Sequence, residues 1–233
     1  MSVFVSGSSR GLGEAFVEHY LAHKADVYGI GRSRLENPSY HYETVDVSDF
    51  KSLESSLEAL FDGVKSLDLM ILNAGVLGRI QDISLCEMEQ LKFEMDVNMW
   101  ANKVILDYVI KNKIAVKQVI AISSGASVNG SLGWNGYSLS KAALNMLIKL
   151  YASEMQETHL ISLAPGLIQT DMMDSIIRGN HDVTKYKSVG FLQQSQKEGL
   201  ILTPKTVVEQ IVTIEEKILS QVSGEFIDIR LLD

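Results

Sequence analysis

A doubly wound α/β sheet is the fold class that this sequence predicts, and three observations carry it. Short apolar runs alternate with longer segments of helical period along the whole chain. Several of those runs are apolar without a break, as in parallel strands covered on both faces. The segment Gly7-Ser8-Ser9-Arg10-Gly11-Leu12-Gly13 stands where the first strand would turn into the first helix, and its glycines permit the tight turn. The expected architecture is a seven-stranded, mainly parallel sheet with helices on both faces.

The elements follow in order. Residues 3–6 (Val-Phe-Val-Ser) form the first expected strand and 12–23 the first helix. Further strands are expected at 27–30, 41–45, 67–72, 119–123, 160–163 and 226–229. Further helices are expected at 52–61, from about 84 to 111, at 137–155 and at 204–219. Thr203-Pro204 starts the last of these, with threonine as N-cap and proline at the first helical position, where no N–H is needed. Residues 170–202 break the regularity. Gly179-Asn180, charges and Gln193-Gln194 make that segment too long for an ordinary connection, and it is expected to form a lid. With no linker, low-complexity tract or repeat, residues 1–233 are expected to form one domain.

Composition narrows the class. At 233 residues and 46% hydrophobic, the chain can bury a substantial core. A net charge of −8 argues against a surface for nucleic acid or anionic membrane, which would need a basic stripe. No window approaches the roughly 18 apolar residues of a membrane span. The N-terminus has no basic region ahead of an apolar one, so no signal peptide is expected. The lone cysteine, Cys86, fits a reducing compartment, and the cytoplasm is the expected location. His19 and His23 are i, i+4, but on an ordinary amphipathic helix, and no metal site is expected.

The chemistry centres on Gly136-Tyr137-Ser138-Leu139-Ser140-Lys141. A helix puts Tyr137 and Lys141 on one face, one turn apart. An ammonium beside a phenol favours phenolate, which would bring the tyrosine pKa down from about 10 toward working pH. A tyrosine so tuned is a usable general acid or base. Ser124 follows the apolar run 118–122 and would offer its hydroxyl to a substrate oxygen. Taken alone, Tyr-x-x-x-Lys reads first as an ordinary surface pair on a helix, since two residues at one spacing recur by accident.

The other signals fall in order around it: Gly7-x-x-x-Gly11-x-Gly13, Asn73-Ala74-Gly75, Asn98, Ser124, the Tyr137/Lys141 pair and Pro165-Gly166. Together they resemble the short-chain dehydrogenase/reductase family from end to end, and so imply a Rossmann-like fold. The resemblance implies that Tyr137 exchanges the proton with the carbonyl or carbinol oxygen. Lys141 would lower the tyrosine pKa and hold the nicotinamide ribose, and Ser124 would orient substrate. Asn98, in Asp96-Val97-Asn98, resembles a helix-bending asparagine that holds a water of the proton relay. The backbone of Gly7, Ser9, Arg10, Gly11, Leu12 and Gly13 would approach a pyrophosphate at a helix N-terminus. Asn73-Ala74-Gly75 would line the adenine-ribose side and Asp46-Val47 would meet the adenine. Pro165-Gly166, Ile168 and Thr170 would flank the nicotinamide carboxamide.

The second strand lacks the acidic residue that usually binds a ribose 2′-hydroxyl at its end. It ends instead in Gly31-Arg32-Ser33-Arg34, with Asp26 too early and Glu36 too late. Arg32, with Arg10 from the glycine loop, suits a 2′-phosphate, so NADP(H) is the expected cofactor.

Toward the C-terminus, Ser223-Gly224-Glu225-Phe226-Ile227-Asp228 runs on into Ile229-Arg230-Leu231-Leu232-Asp233. With Thr170-Asp171-Met172, this ending is similar to sepiapterin reductases and related benzil or diketone reductases. In sepiapterin reductases the aspartate matching Asp228 anchors the pterin; it is as readily a cap or a structural pair. Met172, Met173, Ile176 and Ile177 recur at roughly helical spacing in the lid, and Met172 and Ile176 are its substrate candidates. The expected function is NADPH-dependent reduction of a small ketone or diketone. The alternatives are a pterin reductase and a nucleotide-sensing or interaction protein without the chemistry. Leu144, Leu147, Ile148 and Tyr151 look surplus to the core, and relatives pair through the two long helices, so a homodimer or homotetramer is expected.

Overall fold

The computed structural model describes residues 1–33 and 39–232. Arg34 and Glu36, both weighed for nucleotide choice, lie outside the described residues. Among the described residues there are seven strands: β1 (Ser2–Ser6), β2 (Asp26–Gly31), β3 (His41–Thr44), β4 (Ser66–Leu72), β5 (Ala115–Ile122), β6 (His159–Ala164) and β7 (Phe226–Asp228). They form one sheet in the order β3-β2-β1-β4-β5-β6-β7, and all six pairings are parallel. The sheet is therefore fully rather than mainly parallel.

Strand period sorts each continuous apolar run between two cores. Phe4 packs on one face with α2 (Phe50–Leu60), α4 (Ala101–Lys111) and α6 (Asn135–Glu154). Val3 and Val5 pack on the other with α1 (Gly11–Ala22), α9 (Pro204–Thr213) and α10 (Glu215–Leu219). In β5, Val119 and Ala121 likewise face the first core, Ile120 and Ile122 the second. Helix starts are fixed locally: the Asp49 side chain accepts the Ser52 N–H at α2, and Thr203 accepts the Thr206 N–H at α9 with Pro204 behind it.

Three expectations needed correction. The stretch 84–111 is not one helix. It comprises a short 3₁₀ turn, α3 (Met88–Met95), a π-helical turn over Asp96–Trp100, and α4. The C-terminal helix breaks at Ile214 into α9 and α10. Leu144 and Ile148 are fully buried and Tyr151 is 6% exposed, all in the first core, with Leu147 packed against it. The apolar residues that α6 leaves in solvent are Leu139, Met146 and Leu150.

The sheet order reverses direction between β1 and β4, the point at which open α/β sheets form their crevice. Register aligns the strand ends along one edge: Ser6 lies beside Leu72, Leu72 beside Ala121, Ile122 beside Leu163, and Ala164 beside Asp228. The segments beginning at Gly7, Asn73, Ser123, Pro165 and Ile229 therefore leave the sheet together. Residues 170–202 fold over that edge as α7 (Asp171–Arg178) and α8 (Lys187–Lys197), around a third apolar cluster of Ile176, Tyr186, Val189 and Leu192.

Candidate active site

A cleft of about 1060 Å³ runs along this edge, at the top of the roughly 300–1,000 Å³ range usual for small-molecule sites. One end is built by the glycine loop. Gly7 has φ +65°, and a Cβ on it would fall 2.8 Å from Ala74 Cα. A Cβ on Gly13 would fall 2.1 Å from the Gly7 carbonyl oxygen, so only glycine lets the loop close onto α1. Asn73 clamps the turn: its Nδ2 donates to the carbonyls of Ser6 and Gly7, each at 3.1 Å. Asn73 thus supports the loop as well as lining the cleft, a role its motif does not spell out.

The N-terminus of α1 has no side-chain cap, which leaves its first amides for phosphate oxygens. Together with the Gly13 approach, this fits a dinucleotide. Arg10 and Arg32 both line this end of the cleft and are exposed. Arg10 Nη1 lies 3.8 Å from Asp171 Oδ2 on α7, so its charge is shared with the lid. Asp46 accepts hydrogen bonds from the Ser48 N–H and hydroxyl, and these, helped by the Arg32 charge, hold its carboxyl below the usual range. Val47 lines the cleft beside it.

The other end carries Ser124 after β5 and Tyr137 and Lys141 on α6. Lys141 is buried and its Nζ donates to the Ile122 carbonyl at 2.7 Å. That ammonium is 5.9 Å from the Tyr137 ring centroid. Burial lowers the Lys141 pKa to about 8. Burial raises the Tyr137 pKa, with the hydrogen bond to Ser124 pulling the other way. The expected downward shift of the tyrosine is therefore corrected: desolvation outweighs the Ser124 hydrogen bond, the influence that lowers it. Ser124 Oγ also accepts the Ala126 N–H of the short helix α5 (Ala126–Asn129) at 3.1 Å.

Asn98 sits in the π-helical turn, fully buried. Its Oδ1 accepts the Val76 N–H at 2.8 Å and its Nδ2 donates to the Val76 carbonyl at 3.0 Å and to Ser140 Oγ at 2.9 Å. The amide therefore pins the loop after β4 against α6, and the wider turn accommodates it, as such turns do at functional sites.

Most residues expected from sequence do line this cleft: Ser9, Gly11, Leu12, Ala74, Gly75, Pro165, Gly166, Ile168, Thr170, Met172 and Ile176 among them. Gly13, Asn98 and Asp228 stand behind the wall, and Ile176 is largely spent on the third cluster. Thr170 also caps α7, accepting the Met173 N–H. Two features escaped the sequence. A chain of hydrogen bonds from Ser123 through Asn145 and Ser127 to the Ser124 carbonyl ties β5 to α6. Arg230 also lines the cleft and holds Asp228; its only signal was a cation two residues past the last strand.

A parallel sheet with a glycine-rich first turn, and a Ser–Tyr–Lys wall at the same edge, defines a dinucleotide-type α/β protein. The chain belongs to the short chain dehydrogenase family of oxidoreductases, whose profile matches residues 1–181, and among its relatives it is similar to benzil reductases. Benzil reductase ((S)-benzoin forming) of Bacillus cereus is 28% identical over 236 residues, 92% of this chain and 93% of its own. The benzil reductase of Saccharomyces cerevisiae is 27% identical over 240 residues, 90% and 89% of the two chains. Among solved structures, the KRED1-Pglu enzyme superposes with a TM-score of 0.85 over 97% of this chain and 99% of its own. At 24% identity that likeness establishes the fold.

Proposed function

We propose that this protein is an NADPH-dependent reductase of a small ketone or diketone. The observation that carries the reading is one wall of the cleft, which Ser124, Tyr137 and the buried Lys141 line together. When bound, a nicotinamide nucleotide supplies the hydride. Tyr137 gives its hydroxyl proton to the substrate oxygen, so that the carbonyl gains hydride and proton and leaves as an alcohol. Ser124 holds that oxygen. The Lys141 ammonium favours the phenolate that remains, and Asn98 fixes the loop and helix on which this wall depends. The glycine loop takes the pyrophosphate, and Arg32 with Arg10 takes a 2′-phosphate.

The names of the whole-length relatives support a diketone as the substrate class. A pterin reductase is disfavoured, because Asp228 is already engaged by Arg230. Self-association through α4 and α6 belongs to the same reading, supported by exposed Trp100, Met146 and Leu150. A cytoplasmic location is supported by the one, unpaired cysteine. NADPH oxidation followed against vicinal diketones, quinones and pterins tests the activity. Nucleotide binding without turnover on any of them would make the protein a sensor instead.

A further inference from the structure

Arg230 is the cation of this cleft that the proposed chemistry does not use. It stands in the 3₁₀ turn after β7, with its side chain 52% exposed, while the side chain of Asp228 is only 10% exposed. The pair is bidentate: Arg230 Nε donates to Asp228 Oδ1 at 2.9 Å and Nη2 to Oδ2 at 2.5 Å. The Arg230 N–H also donates to Oδ1, at 3.1 Å. The carboxylate is thus consumed in fixing the guanidinium, and no second carboxylate pairs with Arg230 among the described residues.

The position is as informative as the pairing. Nη2 lies 3.6 Å from where a Cβ on Gly125 would be, and Cδ lies 3.5 Å from the same point on Gly166. Gly125 directly follows Ser124, and Gly166 follows Pro165. The guanidinium is therefore held over the backbone that carries the hydroxyl for the reacting carbonyl. Of its five side-chain N–H donors, two are taken by Asp228, and the residue itself lines the cleft. A rigid, always-charged fork beside a carbonyl-binding hydroxyl suits an oxygen acceptor on the neighbouring carbon.

We propose that Arg230, oriented by Asp228, is a specificity-determining residue that binds an acceptor oxygen on the carbon next to the reacting carbonyl. The substrate class is the vicinal dicarbonyl, which includes both neutral 1,2-diketones and anionic 2-oxo acids. This rests on the carbonyl-reductase reading of the site and deepens it.

Three probes separate the contributions: 1-phenylpropane-1,2-dione, phenylglyoxylate and propiophenone, which has no second oxygen. Arg230→Met alone would leave the Asp228 carboxylate buried and unpaired, so it is measured together with the double variant Asp228→Asn/Arg230→Met. In both, KM for the dione should rise about tenfold and for phenylglyoxylate about a hundredfold, as expected when the guanidinium loses a bond to a neutral oxygen in the first case and an ion pair with a carboxylate in the second. The kinetic constants for propiophenone should stay within about twofold. A rise of the same size on all three probes would mean a structural role and overturn the assignment. A large effect on phenylglyoxylate with none on the dione would limit the class to 2-oxo acids and overturn its diketone half. Calorimetric titration of phenylglyoxylate into the NADP-loaded protein reads the site without turnover. Binding that the double variant loses, in a wild type that reduces none of the probes, would sink the reductase reading and keep Arg230. Equal binding by the two, or none by the wild type, would overturn Arg230.

Discussion

Lys141 Nζ donates to the carbonyl of Ile122, the last residue of β5, at 2.7 Å. The bond fastens the middle of the site to the sheet and sets the ammonium under Tyr137 without direct contact. Burial, rather than this bond, keeps the tyrosine un-ionised. Both groups are desolvated, and each is pushed toward its neutral form, the lysine down and the tyrosine up. A neutral tyrosine is the form a proton donor needs. Tyr137→Phe keeps the ring and removes the proton, so kcat should fall by a factor on the order of 10² or more, with nucleotide affinity nearly unchanged. Steady-state kinetics and nucleotide titration check this, and near-normal turnover would end the assignment of Tyr137.

Burial of Lys141 also leaves a signature in stability. Its folded pKa is about 8 against an ordinary lysine value of 10.5, so between those values the unfolded chain binds a proton that the folded chain has released. Stability conferred by this group therefore rises with pH across that window. The slope approaches about 1.4 kcal/mol per pH unit at most. Tyr137 acts in the opposite sense only above about pH 10, its unfolded value. In urea unfolding without nucleotide, the wild type should gain on Lys141→Met by about 1 kcal/mol per unit between about pH 8 and pH 10. A constant difference would mean that the ammonium is not desolvated.

Cofactor choice turns on Arg32, since Arg10 is partly engaged with Asp171. Arg32→Ala should weaken NADPH about ten- to hundredfold, the worth of a charge-assisted pair, and leave NADH almost untouched. Wild-type turnover of NADH equal to that of NADPH would remove the basis for the arginine reading.

Two substitutions on α6 separate core from surface. Leu144→Ala empties a fully buried site and should cost about 2–5 kcal/mol in thermal or urea unfolding. Met146→Glu, at 57% exposure, should change monomer stability by no more than about 0.5 kcal/mol while dissociating an oligomer. Light scattering decides it: a monomeric wild type at micromolar concentration would refute self-association.

How far the sequence could be read follows from what each residue answers to. Strand runs such as 3–6 obey local period, and the structure extends that strand by only one residue, to Ser2–Ser6. The glycine loop is legible because steric exclusion at Gly7 and Gly13 permits no other residue. Leu144 and Ile148 look surplus in sequence because helical period shows which face is apolar but not what covers it; β6 and the π-helical turn pack against α6, within the first core. The π-helical turn at Asn98 depends on a partner 22 residues away, Val76. Arg230 joins the site only because β7 ends level with β6, a fact of register rather than of local sequence.

The lid divides into a tethered part and a freer one. Lys185 and Tyr186 reach Asp82 at 2.6 and 3.2 Å, and Ser188 accepts from Trp134 Nε1 at 2.7 Å, so the α8 side is tied to the body. On the α7 side, Ile176 enters the third cluster and is 3% exposed, whereas Met172 lines the cleft outside that cluster. The tie from α7 to the glycine loop is the exposed Arg10–Asp171 contact, a kind of pair worth little in water. Ile176→Ala should therefore act chiefly on stability, costing about 2–5 kcal/mol. Met172→Ala should leave the melting temperature nearly fixed and change KM between substrates. On binding NADP with an unreactive substrate analogue, amide exchange should slow across 170–178 more than across 187–197. Unchanged exchange over 170–178 would exclude closure by α7 and leave the loop 125–135, beside Ser124, as the part that selects substrate.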